Sequence, residues 1–179
     1  MGITETKEPE VPLNVLGRFL KQRYGTKYER GECPVEGYYR NHSISIYEVT
    51  HSGGADSSSW TETDYDVKFN NPTVVLMQIK KRSILSLFAQ LIHTGDLEFD
   101  QEFQTKGNRE TEINAILDQS TRSRMMRISK FNVVISEKNP CIAHYSEIGS
   151  ILHTKEDPER FRAIVDIMVD IVEKIEERS

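Results

Sequence analysis

Residues 157–177 read DPERFRAIVDIMVDIVEKIEE, and this stretch predicts a long amphipathic helix. Asp157 is an N-cap residue, Pro158 suits the first helical position, and Glu159 lies where the helix dipole favours a negative charge. A helix of this length is about 30 Å long. Its apolar residues cover about half of the circumference, which is wider than the roughly 100° stripe that packing against one sheet requires.

The wide apolar arc allows two interpretations. In the first, the helix lies in a groove between a sheet and another helix of the same chain. In the second, Ile167 and Ile171 at one margin of the arc extend into the interface of a homodimer formed through this helix. An Ile167→Glu substitution separates the two interpretations, because it shifts the measured mass toward the monomer only if a dimer exists.

Upstream of this helix, two segments show the two-residue hydrophobic period that is typical of strands. They lie at 44–49 and 65–69. Residues 73–79 are apolar on both faces, which fits a central strand, and a hairpin follows at 131–145. The order of elements predicts an α+β fold. We expect an antiparallel sheet of about five strands, with helices packed mainly on one face and the long C-terminal helix completing the core.

The chain has 179 residues, which indicates one domain. Residues 1–11 are polar and acidic, and they predict a disordered tail. Residues 12–179 are then a single α+β domain. No run of apolar residues is long enough to predict a transmembrane helix, so we expect a cytoplasmic protein that reaches a membrane only peripherally or through a partner.

The acidic residues of segment 95–103, which reads GDLEFDQEF, form one candidate metal site. Asp96, Glu98 and Asp100 alternate, so in an extended chain they would share one face and offer oxygen ligands to a hard cation. The segment lacks the Gly and Glu that a calcium-binding EF-hand needs at its sixth and twelfth positions.

A structural interpretation of the same segment is favoured. Asp96 caps a helical turn that places Phe99 and Phe103 on one face, where both rings fill the core. The acidic residues around them, Asp100 included, then face water. Replacing either ring with alanine is expected to cost about 3–5 kcal/mol.

This segment also carries a family resemblance. Together with residues 106–108 and a following helix that contains residues 115–117, it resembles an uncharacterised family of bacterial and archaeal domains. In that family a Gly-Asp-Pro-Glu-Phe-Asp-x-x-Phe-like run precedes a short strand and a helix with two leucines, and the pattern extends over residues 13–177. Leu97 stands where the family has proline. The resemblance implies a fold, and it brings no activity, cofactor or catalytic residue with it.

The charge distribution bears on partners. A formal net charge of −5 gives no overall attraction to phosphate polymers, so we expect no nucleic-acid partner. Arg124, Arg127 and Lys130 form a basic cluster on a predicted helix face, which is a candidate site for a phosphate-bearing ligand or an anionic lipid. The competing interpretation is a solvated face balanced by nearby glutamates.

No catalytic constellation is visible in the sequence. The five histidines have no metal-binding spacing, and Cys33 and Cys141 are too far apart in sequence for a CxxC site, so no cofactor is predicted. We therefore expect a non-enzymatic ligand- or protein-binding module. The alternative is a hydrolase or metal-dependent enzyme with a site assembled from dispersed residues such as Asp96, Asp100 and His93. A deep pocket with perturbed carboxylates would favour the enzyme, and a shallow surface would favour the binding module.

Overall fold

The computed structural model describes residues 35–51, 60–82, 91–128, 131–148 and 158–178. The predicted acidic tail, Cys33 and Lys130 lie outside these ranges. Within them, the chain forms seven strands and four helices. The strands are β1 (Val35–Tyr39), β2 (His42–His51), β3 (Trp60–Lys68), β4 (Met77–Lys81), β5 (Phe103–Gly107), β6 (Val133–Ser136) and β7 (Asn139–Ile148). The helices are α1 (Leu97–Glu102), α2 (Glu110–Ile116), α3 (Gln119–Met126) and α4 (Pro158–Glu176).

The strands form one antiparallel sheet in the order β1-β2-β3-β7-β6-β4-β5. The predicted α+β class, antiparallel sheet and C-terminal helix are confirmed, but the expected number of about five strands is too low. The described part has a separate β1 because the chain turns back at Arg40 and Asn41, whose φ angles of 50° and 66° suit a tight hairpin. It also has β5, which follows α1 directly.

Helix α4 packs against one face of the sheet and against α2 and α3. Its Phe161 ring lies 5.7 Å from that of Tyr65 on β3, and Tyr65 in turn lies 5.2 Å from Tyr145 on β7. The groove between sheet and helices explains the wide apolar arc, as the first interpretation predicted. Ile167 and Ile171 are buried within this chain, at 1% and 0% exposure, so this margin of the arc packs in the core and presents neither side chain to a partner in the described structure. The homodimer itself stays a prediction.

The segment around α1 follows the structural interpretation. Gly95 adopts a φ of +80°, and the Asp96 carboxylate accepts a hydrogen bond from the Phe99 backbone N–H at 3.1 Å. Phe99 and Phe103 are buried, and their rings stack with centroids 5.0 Å apart. Phe103 does so from the first position of β5 rather than from the same helical turn.

One detail of that prediction is wrong, because the Asp100 carboxylate does not face water. It accepts hydrogen bonds from the backbone N–H of Thr94 at 3.1 Å and from the Thr94 hydroxyl at 2.9 Å. These bonds fix the chain just before α1, so the acid has a structural role in the turn.

The turn after β5 closes on the loop before β4. The Asn108 side chain accepts a hydrogen bond from the Leu76 N–H at 2.9 Å and donates one to the Val74 carbonyl at 2.9 Å. A Cβ on Gly107 would lie 2.2 Å from Ile113 Cδ1 and 2.5 Å from the Leu76 carbonyl oxygen. Only glycine fits this position without movement of its neighbours.

Candidate functional site

The face of the sheet opposite α4 carries a group of titratable side chains from three strands. Successive side chains of a strand point to opposite faces of the sheet. Tyr65 of β3 points into the core, so Asp64 and Asp66 on either side of it lie on the other face. The strand register places Asp66 opposite His144 of β7, and Asp64 opposite Tyr47 of β2. Two carboxylates, an imidazole and a phenol therefore meet across three neighbouring strands.

The contacts within this group centre on Asp66. Its Oδ1 lies 2.7 Å from His144 Nδ1, and its Oδ2 accepts a hydrogen bond from the Tyr47 hydroxyl at 3.2 Å. The other ring nitrogen of His144, Nε2, lies 3.9 Å from Oδ1 of the buried Asp64. The imidazole is therefore oriented by one carboxylate and lies close to a second.

The electrostatics of the site favour a charged imidazole. The hydrogen bond to Asp66 raises the pKa of His144 above its ordinary value. Burial acts in the opposite direction, but the negative charges of Asp66, Asp64 and Glu62 add to the increase. His144 is thus protonated over a wider pH range than a histidine in solution.

A shallow pocket of about 210 Å³ opens beside this group. Val134 and Ile142 give it apolar walls, and its polar lining comes from Tyr47, Asp66, Ser136, Asn139 and His144. The pocket volume of about 210 Å³ is smaller than the roughly 300 Å³ at which pockets for drug-sized ligands begin. It suits a fragment-sized ligand or a single side chain of a protein partner.

The residues of the predicted metal site have other partners. Asp96 caps α1 through one oxygen, and its other oxygen lies 3.1 Å from Arg122 Nε. The backbone hydrogen bond from Phe99 lowers the pKa of Asp96, and Arg122 adds to that effect. Asp100 binds Thr94 and has His93 Nδ1 at 3.9 Å, while Glu98 is exposed. In the described ranges, no three His, Cys, Asp or Glu side chains come together as metal ligands.

The predicted basic cluster is not assembled as an anion site in the described part of the chain. Arg124 Nη1 lies 2.5 Å from Asp170 of α4, so a neighbouring carboxylate neutralises its charge. Asp170 also binds Arg40 from the β1–β2 turn. Arg127 is exposed, and Lys130 lies outside the described residues.

Sequence reasoning did not single out Tyr47, Asp64 or Asp66. The only signal was the polar-apolar alternation around Tyr65, which predicts that the two aspartates share a face of the sheet. Their meeting with His144 depends on the pairing of β3 with β7, two strands 78 residues apart at this contact. No periodicity within either strand specifies that pairing.

Comparison of the chain with family models, with curated proteins and with solved structures gives no match. The resemblance carried by segment 95–103 therefore stays a prediction. None of the helices in the described ranges has both the length and the hydropathy needed to cross a bilayer.

Proposed function

We propose that this chain is a non-enzymatic binding module that holds its ligand on the sheet face opposite α4. The pocket beside His144 is the anchoring point. The observation that carries this proposal is the fixed Asp66–His144 pair at 2.7 Å on the rim of a shallow pocket with apolar walls. Ligand sites commonly combine apolar walls with a few polar groups in fixed orientation, and this pocket has that composition.

Two features favour binding over catalysis. A histidine acts as a general base only when its ring is neutral and its free nitrogen reaches the reacting proton. The hydrogen bond to Asp66 and the charge of Asp64 instead stabilise the protonated ring. Within the described residues, no hydrogen bond joins the Ser136 hydroxyl of the pocket to His144, so no activated nucleophile is formed there.

A fragment screen by two-dimensional NMR tests this proposal. We expect weakly binding fragments to shift the amide signals of Tyr47, Val134 and His144, and to be recovered chemically unchanged. The variant His144→Ala should lose these shifts. The variant Lys81→Ala, changed at an exposed position at the end of β4, should keep them. A library that leaves the pocket signals unmoved would count against the proposal.

A hydrolase is the second candidate, because an aspartate that orients a histidine is also the geometry of acid–base enzymes. The same screen separates the two functions. If fragments with ester, amide or phosphate bonds are converted by the native chain and not by His144→Ala, then the site is catalytic. A metal-dependent enzyme would also require ligands that the described residues do not bring together.

The proposal leaves three kinds of partner open for this surface: another protein, a second copy of the chain, and a membrane that the chain contacts peripherally. We also keep the cytoplasm as the expected location. Native mass spectrometry of the purified chain tests whether the partner is a second copy of the chain. A dimer mass supports self-association, and a monomer mass leaves an external partner.

A further inference from the structure

The chemistry of the site points to a class of ligand, and this inference rests on the function proposed above. We propose that the pocket beside His144 binds a cationic side chain of a protein partner, with arginine as the preferred residue. The aliphatic stem of that side chain would lie against Val134 and Ile142, and its guanidinium group would lie at Asp66.

The balance of charge on this face supports a cation. Glu62, Asp64 and Asp66 alternate along β3 toward the same side of the sheet, and Lys68 follows at the end of that strand. All three carboxylates act on the imidazole of His144, because the negative charge of each one raises the pKa of that ring. The same negative potential favours a positive charge beside Asp66 and repels an anion.

The hydrogen-bonding capacity of Asp66 supports an N–H donor in particular. A carboxylate has about four acceptor sites. In the described part of the chain, Tyr47 and His144 use one site on each oxygen of Asp66. The remaining sites can accept the N–H groups of a guanidinium, which matches a carboxylate in geometry better than an ammonium does.

The shape and lining of the pocket fit a long side chain with a charged end. An arginine buries its methylene stem on apolar surface while its head stays near polar groups, and Val134 and Ile142 provide that surface. Tyr47 also lines the pocket, and aromatic side chains attract guanidinium groups. A volume of about 210 Å³ accommodates one such side chain.

Binding of a cation here is coupled to the proton on His144. The groups that face His144 are Asp66, Asp64 and Glu62 from β3, with Lys68 farther along that strand, and Tyr47 from β2. From β6 the uncharged Val134 and Ser136 face it. Because the bound cation and the proton are attracted by the same carboxylates, each weakens the binding of the other, and the coupling is reciprocal. The bound cation should lower the pKa of His144, and cation affinity should rise as the pH rises through that pKa.

Arginine blocked at both ends, as N-acetyl-arginine amide, is the probe for this proposal. N-acetyl-citrulline amide is its uncharged analogue. We expect the arginine compound to shift the NMR signals of the pocket and to lower the pKa of His144, and the citrulline compound to do neither. Affinity for the arginine compound should increase at least about threefold between about pH 5.5 and about pH 8.5.

Two variants locate the cation. Asp66→Asn should weaken arginine binding by about tenfold or more, the loss that corresponds to a charge-assisted hydrogen bond. If that variant does not fold, Glu62→Gln removes a more distant charge and should weaken binding about twofold to threefold. The control Glu110→Gln, an exposed acid on α2, should leave affinity unchanged.

Equal binding of the citrulline compound would overturn the proposal, as would an acetate-bearing probe that binds and raises the pKa of His144. If uncharged fragments bind in the pocket while the arginine compound does not, then the ligand class is wrong and the binding function stands. If neither binds, both proposals fail.

Discussion

Gly107→Ala tests the packing of the β5–α2 turn. The added methyl would lie 2.2 Å from Ile113 Cδ1 and 2.5 Å from the Leu76 carbonyl oxygen. The Ile113 methyl is the end of a side chain and can move, but the carbonyl is backbone and is held by the Asn108 N–H at 3.2 Å. Overpacking of this kind costs about 1–3 kcal/mol, and the stiffer unfolded chain returns about 0.4–1 kcal/mol. The contact with a fixed backbone carbonyl puts the cost in the upper part of its range, so we expect a net loss of about 2 kcal/mol in the free energy of unfolding.

Gly95→Ala is the matched control for this substitution. Gly95 has a φ of +80° and no atom within 4 Å of an added Cβ, so alanine there costs only the left-handed backbone, about 1–2 kcal/mol. The unfolded chain returns the same amount as at Gly107, which leaves a net cost of about 1 kcal/mol. Urea denaturation of both variants gives the comparison. Adding Ile113→Val to Gly107→Ala should recover part of the loss, because it removes Cδ1 and leaves the contact with the Leu76 carbonyl. A Gly107→Ala variant that is no less stable than Gly95→Ala would refute this account of the turn.

Three further predictions concern α4, α3 and the core. Lys174 on α4 donates hydrogen bonds to the Asp118 carboxylate at 2.6 Å and to the Thr121 hydroxyl at 2.7 Å. Partial burial would raise the pKa of Asp118, but the hydrogen bonds that its carboxylate accepts from Lys174 and from the N–H and hydroxyl of Thr121 outweigh burial and lower the pKa from 3.8 to about 2. Because the pKa is lower in the folded state, this stabilisation is present above pH 3.8 and is lost as the pH falls to about 2. In acid unfolding, the stability of Lys174→Met should therefore depend less on pH over that range than the stability of the native chain does. Phe99→Ala should cost about 3–5 kcal/mol in urea denaturation, whereas Leu97→Ala, at a position 79% exposed, should cost almost nothing, and equal losses would contradict the core assignment. Ile167→Glu buries a charge in the core, so it should unfold the chain in circular dichroism rather than release a folded monomer; a folded monomer would restore the dimer interpretation of this residue.

The parts of the fold that sequence reasoning found are those with local signals. Helix α4 has a proline at its first position and an unbroken helical period, and both are read within a few neighbouring residues. The Asp96 cap and the two buried phenylalanines are likewise set by positions three to seven residues apart. Such elements could be predicted because the backbone itself brings these residues together.

The parts that sequence reasoning missed depend on polar strands and on distant pairings. Strand β5 contains Gln104, Thr105 and Lys106, so it lacks the apolar alternation of a typical strand. It forms because β4 and the bridge from Ile92 to Thr105 complete its hydrogen bonds. The turn at Arg40 is fixed in part by its ion pair with Asp170, 130 residues away. Contacts over such separations leave no periodic signal.

The pairing of Asp66 with His144 supports both the proposed function and the proposed ligand. Its most direct test is an NMR titration of the His144 imidazole in the native chain and in Asp66→Asn. We predict a pKa above the ordinary value of 6.5 in the native chain and a clear decrease in the variant, because the hydrogen bond to Asp66 is the main cause of the increase. A pKa at or below 6.5 in the native chain, or one unaffected by the substitution, would contradict the site on which this account depends.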